Sequence, residues 1–214
     1  MPYCQTLTTP QQIHIAIWRL TETLDELMTL WGKEDYPQRF MDVQVEKRRR
    51  EILATALLMR EYFGRDIALR HAPNGAPLID EGNISISHTA THIAIALHPT
   101  CRVGIDIEKI GNRAERVVSR FMSANELAQL PQEDTSDTNG ITDRALAIHM
   151  AWSVKEAVFK IHPTAIEFRR DIILSPMHTL PSGSVTAHLS DSDTPIEAHY
   201  TLYDGCSLAW TLQP

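Results

Sequence analysis

A chain of 214 residues with 43% hydrophobic and 22% charged residues can build one large domain or two small ones, with the balance of an ordinary soluble protein. Its net charge of −7 lacks the basic footprint of general nucleic-acid binding, and no apolar run reaches membrane-spanning length. Cys4, Cys101 and Cys206 are scattered and have no metal spacing, and the opening MPYCQTLTTPQQ has no leader-like regions, so a reduced, cytoplasmic setting is expected.

Ile13, Ile15 and Ile17 alternate over residues 13–20, as a strand does. Thr21 then caps a short amphipathic helix carrying Leu24, Leu27, Met28 and Trp31, with Gly32 as its stop. In the next helix Val45, Ile52, Leu53, Ala56, Leu57 and the segment 59–63 carry an apolar stripe, and Gly64 ends it. It opens on Lys47-Arg48-Arg49-Arg50. Such a run in an acidic chain is either a solvated helix face or a phosphate-binding patch, where guanidinium groups fork onto phosphate oxygens. Asn74-Gly75-Ala76-Pro77-Leu78 reads as a turn between two short strands. Residues 83–87 and 91–97 are further strands, joined through Ser87-His88-Thr89. Strand patterning on both sides argues against a helical zinc pair of His88 and His92.

Val103-Gly104-Ile105-Asp106-Ile107-Glu108-Lys109 alternates strictly. Asp106 and Glu108 share one strand face, about 7 Å apart. They are either the solvated face of an edge strand or a pair waiting for a cation. Residues 114–121 read as a helix, and Ser123 with Glu126 forms a capping-box pattern at the start of another. The acidic, turn-rich stretch 131–140 reads as a mobile surface loop. From Ile141 a helix is expected in which Ala145, Ile148, Trp152, Lys155, Glu156 and Phe159 share a face. Glu156 and Lys160, one turn apart, are either an exposed ion pair or part of a site. With Asp106 and Glu108, Glu156 completes three hard oxygen donors, a partial shell suited to Mg²⁺ with water and phosphate oxygens filling the rest. Strands follow at 171–174, 185–189, 196–203 and 207–212, the last two joined by the hairpin signal Asp204-Gly205.

Three of these motifs stand in order: Ser87-His88, then Gly104-Ile105-Asp106-Ile107-Glu108, then Trp152-Ser153-Val154-Lys155-Glu156-Ala157-Val158-Phe159-Lys160. Together they resemble the 4′-phosphopantetheinyl transferases, specifically the longer, surfactin-synthetase-activating type. The resemblance implies an α+β fold of two similar halves related by pseudo-twofold symmetry, with the active site in the cleft between them. A faint echo between residues 91–97 and 206–212, both x-x-apolar-Ala-x-x-Leu, agrees with that duplication. The halves expected are 1–102, with the coenzyme A phosphate-binding elements, and 103–214, with the metal-binding and catalytic motifs.

The implied reaction moves the 4′-phosphopantetheine arm of coenzyme A to a serine of an apo acyl or peptidyl carrier protein and releases adenosine 3′,5′-bisphosphate. Asp106, Glu108 and Glu156 are then the Mg²⁺ ligands, and Glu156, or a water it polarises, is the base. Lys160 balances charge on the leaving phosphate, a part Lys155 can also fill by spacing. Trp152 fixes the helix against the core. Coenzyme A phosphates are assigned to Arg50, with Arg49 the next candidate, and to His88 and Lys160, with the Ser87 and Thr89 hydroxyls as donors. The family usually has a lysine where this chain has Ala76, and a glycine-containing turn where it has residues 161–166. Those departures keep two other readings open: a binding protein for coenzyme A or a carrier protein, and a metal-dependent pyrophosphate hydrolase. A monomer is expected, with neither nucleic acid nor membrane as partner.

Overall fold

The computed structural model describes residues 4–131, 142–162, 166–178 and 180–213. The loop expected over 131–140 lies outside these apart from Pro131, as do residues 163–165. The chain divides into two compact units, Met1–Pro99 and Thr100–Pro214. Each sets helices on an antiparallel sheet, so the α+β class holds.

In the N-terminal unit the order is β1 (Cys4–Thr8), β2 (His14–Arg19), α1 (Leu24–Trp31), α2 (Gln38–Asp42), α3 (Glu46–Phe63), β3 (Arg70–His71), β4 (Pro77–Leu78), β5 (Asn83–His88) and β6 (His92–His98). Four strands form a sheet in the order β1-β2-β6-β5. Alternation puts Ala16, Trp18, Ile84, Ile93 and Ile95 on one face. There they pack with Leu27 of α1 and with Leu53, Ala54, Leu57 and Leu58 of α3. The cap of α1 is Thr23 rather than Thr21: its hydroxyl accepts from the Glu26 amide while the Glu26 carboxylate accepts from the Thr23 amide. Gly32 and Gly64 end their helices in the left-handed conformation, at φ 72° and 68°, as their type allows.

The C-terminal unit runs β7 (Arg102–Lys109), α4 (Asn112–Phe121), α5 (Ala124–Ala128), α6 (Asp143–Ile161), α7 (Phe168–Asp171), β8 (Ile172–Leu174), β9 (Ser182–Leu189), β10 (Ile196–Tyr203) and β11 (Cys206–Gln213). Its sheet has the order β7-β11-β10-β9-β8. Asp204 and Gly205 take positive φ values of 45° and 69° in the two-residue turn that joins β10 to β11. Helix α6 is buried on most sides, because β7, β10 and β11 cover one part of it and α4 and β8 others. The single stripe expected from periodicity therefore fails at one end: Phe159 is 38% exposed while Ala147, Met150, Val154 and Val158, off that stripe, are buried.

Gly104 sets how closely α6 lies on β7. A Cβ built there would stand 2.0 Å from the carbonyl oxygen of Ala157 and 3.2 Å from the Ile161 side chain. Only a residue without a side chain admits that approach. Asp106 and Glu108 lie opposite Ala209 and Ser207 of β11, so with Gly104 they are on the face that α6 covers. Asp106 is 6% exposed, which excludes the solvated edge-strand alternative.

Candidate active site

Under α6, the carboxylates of the C-terminal unit sense one another. The pKa of Glu156 is raised to about 7: burial is the main cause, the charge of Asp106 and, less strongly, that of Glu108 add to it, and Lys160 opposes them. Lys160, one turn along the helix, donates from Nζ to the Ile105 carbonyl at 2.7 Å and to Asp106 Oδ1 at 3.0 Å. This ties the C-terminal turn of α6 to the middle of β7. A second tie lies one turn before Glu156, where Ser153 Oγ is 2.7 Å from Ser207 Oγ and Ser207 Oγ donates to the Glu108 carbonyl at 3.3 Å. Glu156 is thus fixed from both sides.

Lys155 has a different setting. Its ammonium is fully buried, 2.7 Å from Glu126 Oε1, and donates to the carbonyls of Phe121 at 2.7 Å and Phe168 at 3.1 Å. Burial lowers its pKa and the Glu126 partner raises it. Glu126 is equally committed, since it accepts from the amides of Ser123 and Leu174. Lys155 therefore knits α6 to the residues around α5, α7 and β8. Of the two lysines left open by spacing, Lys160 is the one beside the carboxylates. Trp152 packs edge-on to Phe121 at 4.9 Å and against Phe168 at 5.8 Å, a core contact.

Among the described residues no three His, Cys, Asp or Glu side chains form a ready metal-holding group. Magnesium seldom needs one, because it binds through one or two carboxylates with water and phosphate oxygens completing the shell. The donor chemistry at Asp106, Glu108 and Glu156 fits that ion. Beyond the burial that is the main cause of the rise at Glu156, the charges of Asp106 and Glu108 add a repulsion that a divalent cation among them would relieve.

The N-terminal unit holds a groove of about 1090 Å³. Trp31, Tyr36, Ile52, Ile67, Leu69 and Ile86 give it an apolar wall; Lys33, Arg39, Arg48, Arg70, His71 and His88 line it with cationic or basic groups. Some are paired: Lys33 with Asp66, and Arg70 with Asp80. Burial lowers the pKa of His71, and the guanidiniums of Arg39 and Arg48 lower it further, a measure of the local positive potential. Arg48 Nη1 is 2.8 Å from His88 Nε2 and also donates to Glu51 Oε2 at 2.8 Å.

The expected phosphate ligands are only partly brought together. Arg50 donates from Nε and Nη2 to the Glu22 carbonyl, at 3.0 and 2.6 Å, which holds the chain before α1. The arginine beside His88 is Arg48, two residues earlier. Arg49 stacks over Phe40, its guanidinium carbon 4.1 Å from the ring centroid. Ser87 is buried in β5, and Thr89 Oγ1 accepts from the amides of Thr91 and His92 in the β5–β6 turn. Arg39, His71 and Glu51 were not singled out from the sequence. Glu51 had a legible signal: with Thr55 and Leu58 it follows the i, i+4, i+7 stripe of α3, a carboxylate where an apolar residue belongs.

Comparison with protein-family descriptions matches residues 102–211, just over half of the chain, to the 4′-phosphopantetheinyl transferase superfamily. A search of curated proteins returns no match. The chain belongs to that superfamily, and its activity is of the phosphopantetheinyl-transferring kind.

Proposed function

We propose that this member of the 4′-phosphopantetheinyl transferase superfamily uses coenzyme A to modify a serine of an apo acyl or peptidyl carrier protein, in a Mg²⁺-dependent reaction. The observation that carries the reading is the set of Asp106, Glu108, Glu156 and Lys160, assembled where α6 presses on the glycine of β7. A transfer of this kind makes a bond from the serine oxygen to the β-phosphorus and breaks the bond from that phosphorus to the bridging oxygen. Adenosine 3′,5′-bisphosphate leaves with the bridging oxygen, and the serine proton needs an acceptor. Glu156, or a water it polarises, is the acceptor, since its carboxyl group lies on the helix that covers Asp106 and Glu108. Lys160, with its ammonium on Asp106, carries the positive charge that offsets the leaving phosphate. Asp106, Glu108 and Glu156 would hold Mg²⁺, which supplies charge neutralisation at the pyrophosphate. The groove of the N-terminal unit, with an apolar wall and cations including Arg39 and Arg48, has the chemistry of a coenzyme A site. Arg39, Arg48 and Arg70 offer the positive charge that Ala76 does not.

The test is an incubation of the protein with coenzyme A, Mg²⁺ and an apo carrier protein, read by intact mass. The expected product is a carrier heavier by one phosphopantetheine arm, and omission of Mg²⁺ should prevent its formation. Free phosphopantetheine with an unchanged carrier would mean hydrolysis, and no product at all would mean a binding protein; either result contradicts the proposal.

A further inference from the structure

Glu51 is an acidic residue set among the cations of the groove. It is 5% exposed, yet it touches three basic side chains. Its Oε2 accepts from Arg48 Nη1 at 2.8 Å, its Oε1 lies 3.5 Å from His88 Nδ1, and Lys47 Nζ is 4.0 Å away. Arg48 Nη1 also meets His88 Nε2 at 2.8 Å, so both protons of that nitrogen are spent inside the group. A guanidinium has no acceptor, so Nε2 of His88 accepts and the ring proton sits on Nδ1, the side that faces Glu51. Arg48 remains 38% exposed and lines the groove. With Nη1 committed, the edge that Nε and Nη2 present keeps the parallel donors that match two oxygens of a phosphate.

We infer that Glu51 is a positioning residue: it fixes Arg48 and His88 so that the free edge of the guanidinium is presented to an anionic ligand in the groove. The inference rests on coenzyme A being that ligand. Charge and positioning predict opposite signs here. Replacing a buried carboxylate by an amide leaves the groove more positive, so electrostatics alone would tighten the binding of an anion. Loss of positioning would weaken it.

The experiment measures the Kd of coenzyme A by calorimetry for the full chain, Glu51→Gln, Arg48→Ala and the double variant, with melting temperature as the folding control. Glu51→Gln is expected to weaken binding by about tenfold, the scale of one charge-assisted hydrogen bond. The double variant should bind no worse than Arg48→Ala, because Glu51 acts through Arg48. Binding by Glu51→Gln as tight as wild type or tighter, or losses that add in the double variant, would overturn the inference. Arg48→Lys leaves Glu51 untouched and keeps the charge without the fork. It should lose as much as Arg48→Ala, and wild-type affinity there would also overturn the inference. If Arg48→Ala itself binds coenzyme A normally, the groove is not the coenzyme A site and the inference falls with that reading, whereas an effect of Arg48→Ala without one of Glu51→Gln removes the inference alone.

Discussion

Lys155 has lost all of its water while Lys160 is 24% exposed, and this difference decides what removal of each would do. Taking away Lys155 leaves Glu126 buried without its counter-charge, which costs about 3–5 kcal/mol in comparable pairs. Lys155→Met should therefore lower the melting temperature sharply, and Lys155→Met with Glu126→Gln should recover part of the loss. Lys160→Met should cost less stability but lose transfer activity. Thermal melts and initial rates on the three variants check this, and a Lys155→Met protein that melts like wild type would contradict the structural role. Sequence spacing could not separate the two lysines, because both lie within reach of Glu156 on a helix. What separates them is the covering of α6 by α4, α5 and α7, a tertiary fact that periodicity does not carry. Arg50 illustrates the same limit. Its place at the head of α3 was legible, but not that the Glu22 carbonyl would take up its guanidinium.

At the scale of elements, the contact of α6 with β7 positions the carboxylates. Gly104 is the residue on which it turns, since its Cβ position is filled by the Ala157 carbonyl. Gly104→Ala meets backbone rather than a flexible side-chain end, so the helix must move. Overpacking of this kind costs about 1–3 kcal/mol or more. The predicted outcome is a folded but less stable protein whose transfer rate falls further than its stability. Wild-type activity in Gly104→Ala would show that the close approach is not needed. Strongly patterned elements could be read directly: β7 by its alternation, the Asp204-Gly205 hairpin by its turn residues, and α5 by the Ser123–Glu126 box. By contrast, β1, α2 and α7 were not. A strand of five residues at one edge of its sheet and helices of five and four residues carry too little periodicity to be seen, and they exist by packing against longer neighbours.

At the scale of the whole molecule, each unit has its own apolar core. No helix among the described residues is long and apolar enough to cross a membrane. An overall charge of −7 hides the concentration of cations in the N-terminal groove, which is why composition speaks against nucleic acid but says nothing of a phosphate-bearing small molecule. The order of three short motifs made the family legible, because short motifs on strand and helix can be read without knowing the tertiary contacts. The partners of Glu51 were not legible, since the contact of Arg48 with His88 links α3 to the end of β5. The most direct test of the account is the rate of arm transfer by Glu156→Gln, measured beside its coenzyme A Kd and its melting temperature. Glutamine keeps the size of the side chain and removes the charge and the basic site. A base that also serves the metal should lose on the order of 10²-fold or more in rate, with coenzyme A affinity changed far less. Turnover within about threefold of wild type, the scale left by breaking a surface ion pair, would contradict the account.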